Sequence, residues 1–362
     1  MLQILDRYII KKFLGTFLFT MAIFTMIAVV IDFSDKVEDF IEEQVPLSEM
    51  LFDYYLNFCL FMIGQLIPLY ALISVIFFTS RLASNSEMIS ILNAGVSFSR
   101  ILRPYLISAG LIAGFHFIAN HYLIPNGNKS RLDFEHTYIW KSNDKGKKSN
   151  VHFFIGPETI VYIKRFNKKN KTADDFRLEQ IQGNKMVYLL KARKAVYVDS
   201  THKWSLKDYE IHTFNGMKES LDIGLKKSMD TTLNLRPDDF VRFLNQKDMM
   251  ITSDLRHAIL RDRERGVGNT KEYQVEVERR SSEPFSIIIL TIIGVAIAGR
   301  KVRGGMGLHL LLGVICGAVY IFLIKFSITF ANNDVLSPVM GVWLPNIVFS
   351  LVALYLLIRA QK

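Results

Sequence analysis

The chain has 362 residues, half of them hydrophobic, with 44 Lys+Arg against 34 Asp+Glu and a formal net charge of +10. Evenly mixed, that composition would suit one large or two ordinary soluble domains. The residues are segregated instead: uncharged apolar runs gather in 1–123 and 284–362, charged residues in 124–283. This excludes a simple soluble globule and indicates an integral membrane protein with one soluble insert.

A membrane-spanning helix takes about 20 predominantly apolar residues. Phe13–Ile31 carries no charge, and Leu51–Thr79 carries only Asp53. Pro104–Tyr122 holds His116 and His121 but no Asp, Glu, Lys or Arg. Phe285–Gly299 is the shortest run and is headed by Pro284. Met306–Phe330 holds Lys325, and Val342–Ile358 has no charge. Six spans are predicted, three on each side of the insert. The first run passes into Asp32-Phe33-Ser34-Asp35 without a small-x-small site, which predicts an uncleaved first span.

Lys and Arg in short connectors set the orientation. Arg7, Lys11, Lys12, Arg81, Arg100, Arg103, Arg300, Lys301, Arg303, Arg359 and Lys362 fall on one side, opposed only by Asp6 and Glu87. Residues 32–53 hold eight acids and one base, Lys36. Both termini are therefore expected to be cytoplasmic and residues 124–283 to lie outside. Topology accounts for the basic pI, so nucleic-acid binding is not indicated. The insert's own basic excess fits either an anionic ligand or a solvated mixed surface.

Within the insert, 151–214 alternates apolar and polar residues at strand period. Val151–Ile155, Thr159–Ile163, Met186–Leu190, Ala195–Val198 and Tyr209–Phe214 read as strands separated by turn residues. They predict an antiparallel sheet or a rolled sandwich with open edges. Those edges suit extension by another sheet, or are blunted by Lys191, Lys194, Lys203 and Lys207. A short helix over Pro237–Gln246 follows. A second is expected from a Ser253 cap to Arg265, ended by Gly266, and a third from a Thr270 cap through Arg280. Cys59 and Cys316 lie in spans, so no disulfide framework supports the insert.

Catalytic signatures are missing from the sequence. It has no G-x-x-x-x-G-K-[ST], no third glycine after Gly266-Val267-Gly268, no H-E-x-x-H and no G-x-S-x-G. His152, His202 and His212 lack ligand spacing, so no metal and no resident cofactor are expected. Gly110 with Gly114, and Gly313 with Gly317, are spaced for close helix approach. Lys325 either meets an anionic headgroup or snorkels to the interface.

The second connector, Arg81 to Ser97, is the most informative stretch. Ser84 or Asn85 is placed to cap a helix of about ten residues, with Glu87 in its first turn and Gly95 at its end. Met88, Ile89, Ile91 and Leu92 form an apolar stripe. Such a helix either engages a separate ATPase or merely connects two spans.

The sequence resembles the LptF/LptG permeases, membrane subunits of the lipopolysaccharide export ABC transporter. The resemblance rests on Leu5-Asp6-Arg7-Tyr8-Ile9, on Ser86-Glu87-Met88 followed by Asn93-Ala94-Gly95, on Pro125-x-Gly127, and on Tyr273-Gln274 to Pro284-x-Ser286. It covers nearly the whole chain, and the opening motif is more similar to the G type. It implies three segments: 1–123 with a coupling helix near 85–95, a periplasmic β-jellyroll-like domain with helical return over 124–283, and 284–362. It also implies an F–G heterodimer with a second related permease, holding a cytoplasmic ABC ATPase dimer that binds ATP and Mg. Lipopolysaccharide would enter between spans one and five and pass through the jellyroll edge to a periplasmic bridge. By the same resemblance Arg81, Ser86, Glu87, Met88 and Ile91 contact the ATPase. Lys36, Lys129, Arg131 and Lys325 are the headgroup candidates. The acidic Asp32 and Asp35 depart from the family's basic pattern at span one. The alternatives are a scaffold or signalling protein working through its outer sheet, and an ion-coupled transporter. The latter calls for paired ionisable residues near the midplane, which Lys325 alone does not supply.

Overall fold

A computed structural model describes residues 4–140, 149–167, 170–183, 185–240, 246–266, 270–300 and 305–360. In chain order, α1 (Ile4–Glu42) and α2 (Leu47–Ser84) are followed by the short α3 (Glu87–Asn93) and by α4 (Phe98–Ile139). Strands β1 (Ser149–Gly156), β2 (Thr159–Asn167), β3 (Thr172–Gln182), β4 (Lys185–Val198), β5 (Lys203–Asn215) and β6 (Lys218–Thr231) come next. Helices α5 (Thr252–Glu264), α6 (Lys271–Ala298), α7 (Gly305–Asn332) and α8 (Pro338–Ala360) complete the chain. Among the described residues, α1, α2, α4, α6, α7 and α8 are long and apolar enough to cross a membrane. Lys301, Arg303 and Lys362, counted above for orientation, lie outside the described residues.

Two helices outrun their apolar segments. The third run ends near Tyr122, but α4 continues to Ile139. The helix expected from Thr270 and the short span headed by Pro284 are one helix, α6, with Pro284 inside it. Proline removes one i→i−4 bond. Beside it, Asn346 Nδ2 of α8 donates to the Ser282 carbonyl at 3.0 Å. The chain therefore divides into two compact units, one of residues 1–140, 247–255 and 271–362 and one of 141–246 and 256–270.

In the helical unit α6 is the hub, packing against α2, α4, α7 and α8. Leu72, Val75 and Ile76 of α2 meet Ile287, Leu290 and Ile293 of α6 in the core. Helix α1 adds Ile9, Phe13 and Phe17, spaced four apart so that one face is buried. Gly313 and Gly317 sit against Ile76 and Leu69 of α2, where a Cβ would collide. Gly110 and Gly114 do not fill the same role: a Cβ at either would meet nothing within 4 Å.

The second unit holds one antiparallel sheet in the order β1-β2-β3-β4-β5-β6. The expected antiparallel sheet is thus present, joined as a meander without Greek-key crossings. All five ladders skip a pair at the same level, along a row formed by Asn150, Lys164, Asp175, Arg193, Asp208 and Lys226. Asn150, Asp175, Asp208 and Lys226 have left-handed φ of 52°, 50°, 52° and 59°. The inward parity changes at the row: Leu190 and Ala192 are buried before it, Ala195 after it. Strands β1 to β5 each pass over one residue there, and β6 passes over Leu225, Lys226 and Lys227 opposite Asp208, so the sheet creases while one apolar face stays inside. Val161, Phe176, Leu190, Ala195 and Trp204 line that face, and Trp204 Nε1 donates to the Leu235 carbonyl at 2.8 Å.

The return path differs from expectation in detail. Pro237–Phe240 is a 3-10 turn, residues 241–245 lie outside the described residues, and Gln246–Met249 is a single helical turn. Helix α5 starts at Thr252, one residue before the expected Ser253 cap. Gly266 follows it at φ +73°, as a terminating glycine should.

Candidate coupling and lipid-facing sites

The end of the bundle that carries α3 is built from three local signals. Ser97 caps α4 by accepting from the Arg100 N–H at 3.3 Å. That places the Arg100 guanidinium against the buried Asp6 carboxylate, with two bonds of 2.6 and 2.8 Å. A bidentate pair of this kind fixes orientation as well as energy. It ties the start of α1 to the start of α4, a role for Asp6 that charge counting missed. Its signal was an isolated acid in an otherwise basic terminus.

Helix α3 is seven residues long, not ten. Its N-cap is Ser86, at φ 63°, and its side chain does not cap the first turn. Asn85 instead donates to Glu87 at 3.2 Å, and Ser84 to the Arg81 carbonyl at 3.0 Å, so neither is the cap. The other end is a Schellman motif: Gly95 N–H bonds to Leu92 O at 3.0 Å and Val96 N–H to Ile91 O at 3.4 Å, with Gly95 at φ +85°. The apolar stripe divides. Met88 is fully buried and Ile91 packs on the core, so both anchor α3 to its own bundle. Met88 is therefore not placed to touch a partner. Arg81, Ile89 and Leu92 are exposed, and Glu87 is half-buried with Tyr8 OH at 3.4 Å. Ile89 and Leu92 are the outward apolar residues, separable from Met88 only by knowing which face is buried.

At the other end, Lys36 and Arg131 come together, but not as free cations. Lys36 Nζ lies 2.9 Å from Asp32 and 2.9 Å from Glu135, and also bonds the Tyr54 hydroxyl. Arg131 pairs with Glu135 at 2.9 Å and lies over the Phe61 ring. Two acids balance two bases. Asp32 is thus the reason the span-one position tolerates Lys36 among buried aromatics. Lys129 and Lys325 are exposed and, among the described residues, have no ion-pair partner.

Three π-helical segments supply several buried polar groups of this half: Met50–Tyr55 gives Tyr54, Ala119–Leu123 gives Asn120 and His121, and Glu135–Ile139 gives Glu135. A π-turn re-aims side chains out of the 3.6-residue register, which hides them from periodicity.

A cavity of about 300 Å³ opens in the helical unit, walled by Leu69, Leu290 and Ile324 and rimmed by Arg279, Glu283 and Lys325. Beside it α6 carries an ion cluster. Glu276 bonds Arg279 at 2.8 Å and Arg280 at 2.7 Å, while Arg279 bonds Glu283 at 2.5 Å. Arg280 also donates to the carbonyls of Met250 at 2.7 Å and Lys247 at 2.9 Å, clamping residues 247–250 onto α6. Burial, with the Glu276 charge adding to it, holds the Asp248 carboxyl above its ordinary value. These paired ionisable residues lie on α6, on the stretch that precedes its apolar run, where the sequence had placed a separate helix. Among the described residues no group of three or more His, Cys, Asp or Glu is placed to hold a metal.

Six helices long and apolar enough to cross a membrane, with a β insert between the third and fourth, define a multi-pass membrane protein. A family model described as "Lipopolysaccharide export system permease LptF/LptG" matches residues 7–359, and the chain belongs to that family. It is 22% identical over 379 aligned residues to the lipopolysaccharide export system permease protein LptG of Haemophilus influenzae, across the full length of both chains. Membership makes this a multi-pass inner-membrane protein.

Proposed function

We propose that this chain is a permease subunit that extracts lipopolysaccharide from the inner membrane and hands it to a periplasmic bridge, driven by a separate cytoplasmic ATPase dimer that binds ATP and Mg. Both termini and α3 then face the cytoplasm and the sheet faces the periplasm. The observation that carries the reading is α3. It is fastened to its own bundle by Met88 and Ile91 and presents Arg81, Ser86, Glu87, Ile89 and Leu92 outward. Ile89 and Leu92 offer a partner an apolar contact beside the charges of Arg81 and Glu87.

Two further features support it. The apolar windows of α1 and α7 are only 17% and 22% buried within the chain, which leaves long faces for a second related permease and for lipid. The sheet ends in the open strands β1 and β6, where a bridge sheet can add.

Mild-detergent purification from the native host tests this directly. Recovery of a soluble P-loop ATPase and a second six-span permease is expected. Glu87→Lys should lose the ATPase and keep the permease. Recovery of the chain alone, or with periplasmic proteins only, would favour the scaffold reading instead.

A further inference from the structure

Lys191, Lys194, Lys203 and Lys207 guard no sheet edge: they stand on β4 and β5, interior strands paired on both sides. Around the crease they belong to the face turned away from the core. On β4, Leu190, Ala192 and Ala195 are buried, while Arg193 and Lys194 are exposed; on β5, Leu206 is buried and Lys207 exposed. The register sets like charges face to face. Arg177 of β3 is directly opposite Lys191, and Lys194 is directly opposite Lys207. Such residues have Cβ atoms about 5 Å apart, and like charges there destabilise a sheet. The neighbouring carboxylates are engaged elsewhere. Asp174, opposite Lys194, holds Arg165 at 2.9 Å, and Glu210, opposite Lys191, lies 3.6 Å from His212. Asp175 holds Lys164 at 3.1 Å, and Asp208 accepts the Lys226 N–H at 2.9 Å. Among the described residues, Lys191, Arg193, Lys194 and Lys207 have no ion-pair partner. Arg193 belongs to the row that the ladders skip, where a bulge re-aims the side chain it carries. It borders two shallow hollows, of about 550 and 470 Å³, which share Lys164, Asp175 and Arg193.

We propose that this band of Lys191, Arg193, Lys194 and Lys207 binds the phosphate groups of a phosphorylated glycan. The inference rests on the export reading for the source of that glycan, the saccharide part of the exported lipid. A guanidinium takes two phosphate oxygens at once, and the flanking ammonium groups add point charges. A bound phosphate also screens the facing like charges, so the repulsion built into the register is relieved on binding. The interleaved acids decide the class of ligand. An anionic bilayer surface would repel Asp174, Asp175, Asp208 and Glu210, whereas sugar hydroxyls donate to carboxylates. Tyr162 lines one hollow, with the Arg177 guanidinium 5.7 Å from its ring centre, and offers a sugar ring an apolar face.

The test uses the full chain purified with its native partners in zwitterionic lipid nanodiscs. The probe is the oligosaccharide left when lipopolysaccharide is fully deacylated. It is compared with the same oligosaccharide after phosphatase treatment, and inorganic phosphate serves as competitor. The double variant Arg193→Gln with Lys194→Gln should bind the phosphorylated probe about tenfold more weakly, as expected for lost charge-assisted contacts. Its affinity for the dephosphorylated probe should not change. It should melt no earlier than wild type, because Lys207 loses the like charge opposite it. Equal affinity of variant and wild type for the phosphorylated probe, in a complex that holds the ATPase and second permease, overturns the inference and leaves the export reading standing. Inorganic phosphate displacing the probe at equal concentration overturns the glycan assignment. So does wild type that ignores the probe but is retained on phosphatidylglycerol vesicles, which would give the band to a membrane surface. Probe binding by a chain recovered without ATPase or second permease supports the band and removes the export reading. Should the double variant melt early, Lys207→Gln repeats the comparison away from the bulge on β4, and unchanged binding there overturns the inference.

Discussion

Helices α6 and α7 lie side by side and obey opposite rules. Helix α6 has the shorter apolar run and a proline, and it carries Glu276, Arg279, Arg280 and Glu283. Yet 61% of its apolar window is buried, the largest share of any span described. Helix α7 is nearly uniformly apolar and only 22% buried. In water the more apolar helix would be the central one. In a bilayer the lipid accepts apolar side chains freely, so the helix whose window buries polar groups such as Ser286 and Thr291 takes the centre.

The strongest way to break this contrast is Arg280→Met. It strands the carbonyls of Lys247 and Met250 and leaves the buried Glu276 with Arg279 alone. A loss of about 3–5 kcal/mol is expected, read as a lowered melting temperature of the purified chain. An unchanged melt would show that the charges on α6 are incidental. Gly313→Leu probes the inner face of α7, where Ile76 leaves no room for a Cβ. Overpacking there should cost about 1–3 kcal/mol, by the same assay.

The pH response of Asp248 sharpens the contrast at smaller scale. Its folded pKa is raised by burial first and by Glu276 second. The folded state therefore holds the proton more tightly than the unfolded one. That contribution is complete below the unfolded value of about 3.9 and is lost as pH rises through the folded one. Asp248→Asn should flatten this fall in a stability–pH series. The smallest effect belongs to the outer face of α7. Phe322, 65% exposed, should accept Ala within about 0.5 kcal/mol for the chain alone, while recovery of a second permease falls.

Five of the six spans were legible because their apolar runs reached about membrane length, whereas the fourth, Phe285–Gly299, was short and was read as a span from its company. The limits of α4 and α6 were not, because helices continue past the point where apolar residues stop. Glu276, Arg279, Arg280 and Glu283 stand at helical spacing in the sequence. They looked like an exposed outer helix because spacing does not say what surrounds a face. In the sheet, β1 and β2 were found by alternation. Strand β4 read as two strands, since Arg193-Lys194 reverses its phase. Strand β3 carries Asp174, Asp175, Arg177 and Glu179, and β6 is exposed along most of its length, so neither showed a clean apolar side. At the candidate sites, residue type and chain position suggested Lys36 and Arg131, but only the fold reveals that Glu135, 99 residues from Lys36, pairs with both.

The crease across the sheet has a mechanical meaning. Hydrogen bonds make a β-ladder stiff in the plane of its strands, and here all five ladders interrupt their pairing along one line. The sheet is therefore scored like card before folding. Changing the angle between its two leaves need not sacrifice a paired rung, so the leaves can move against each other while each keeps its own register.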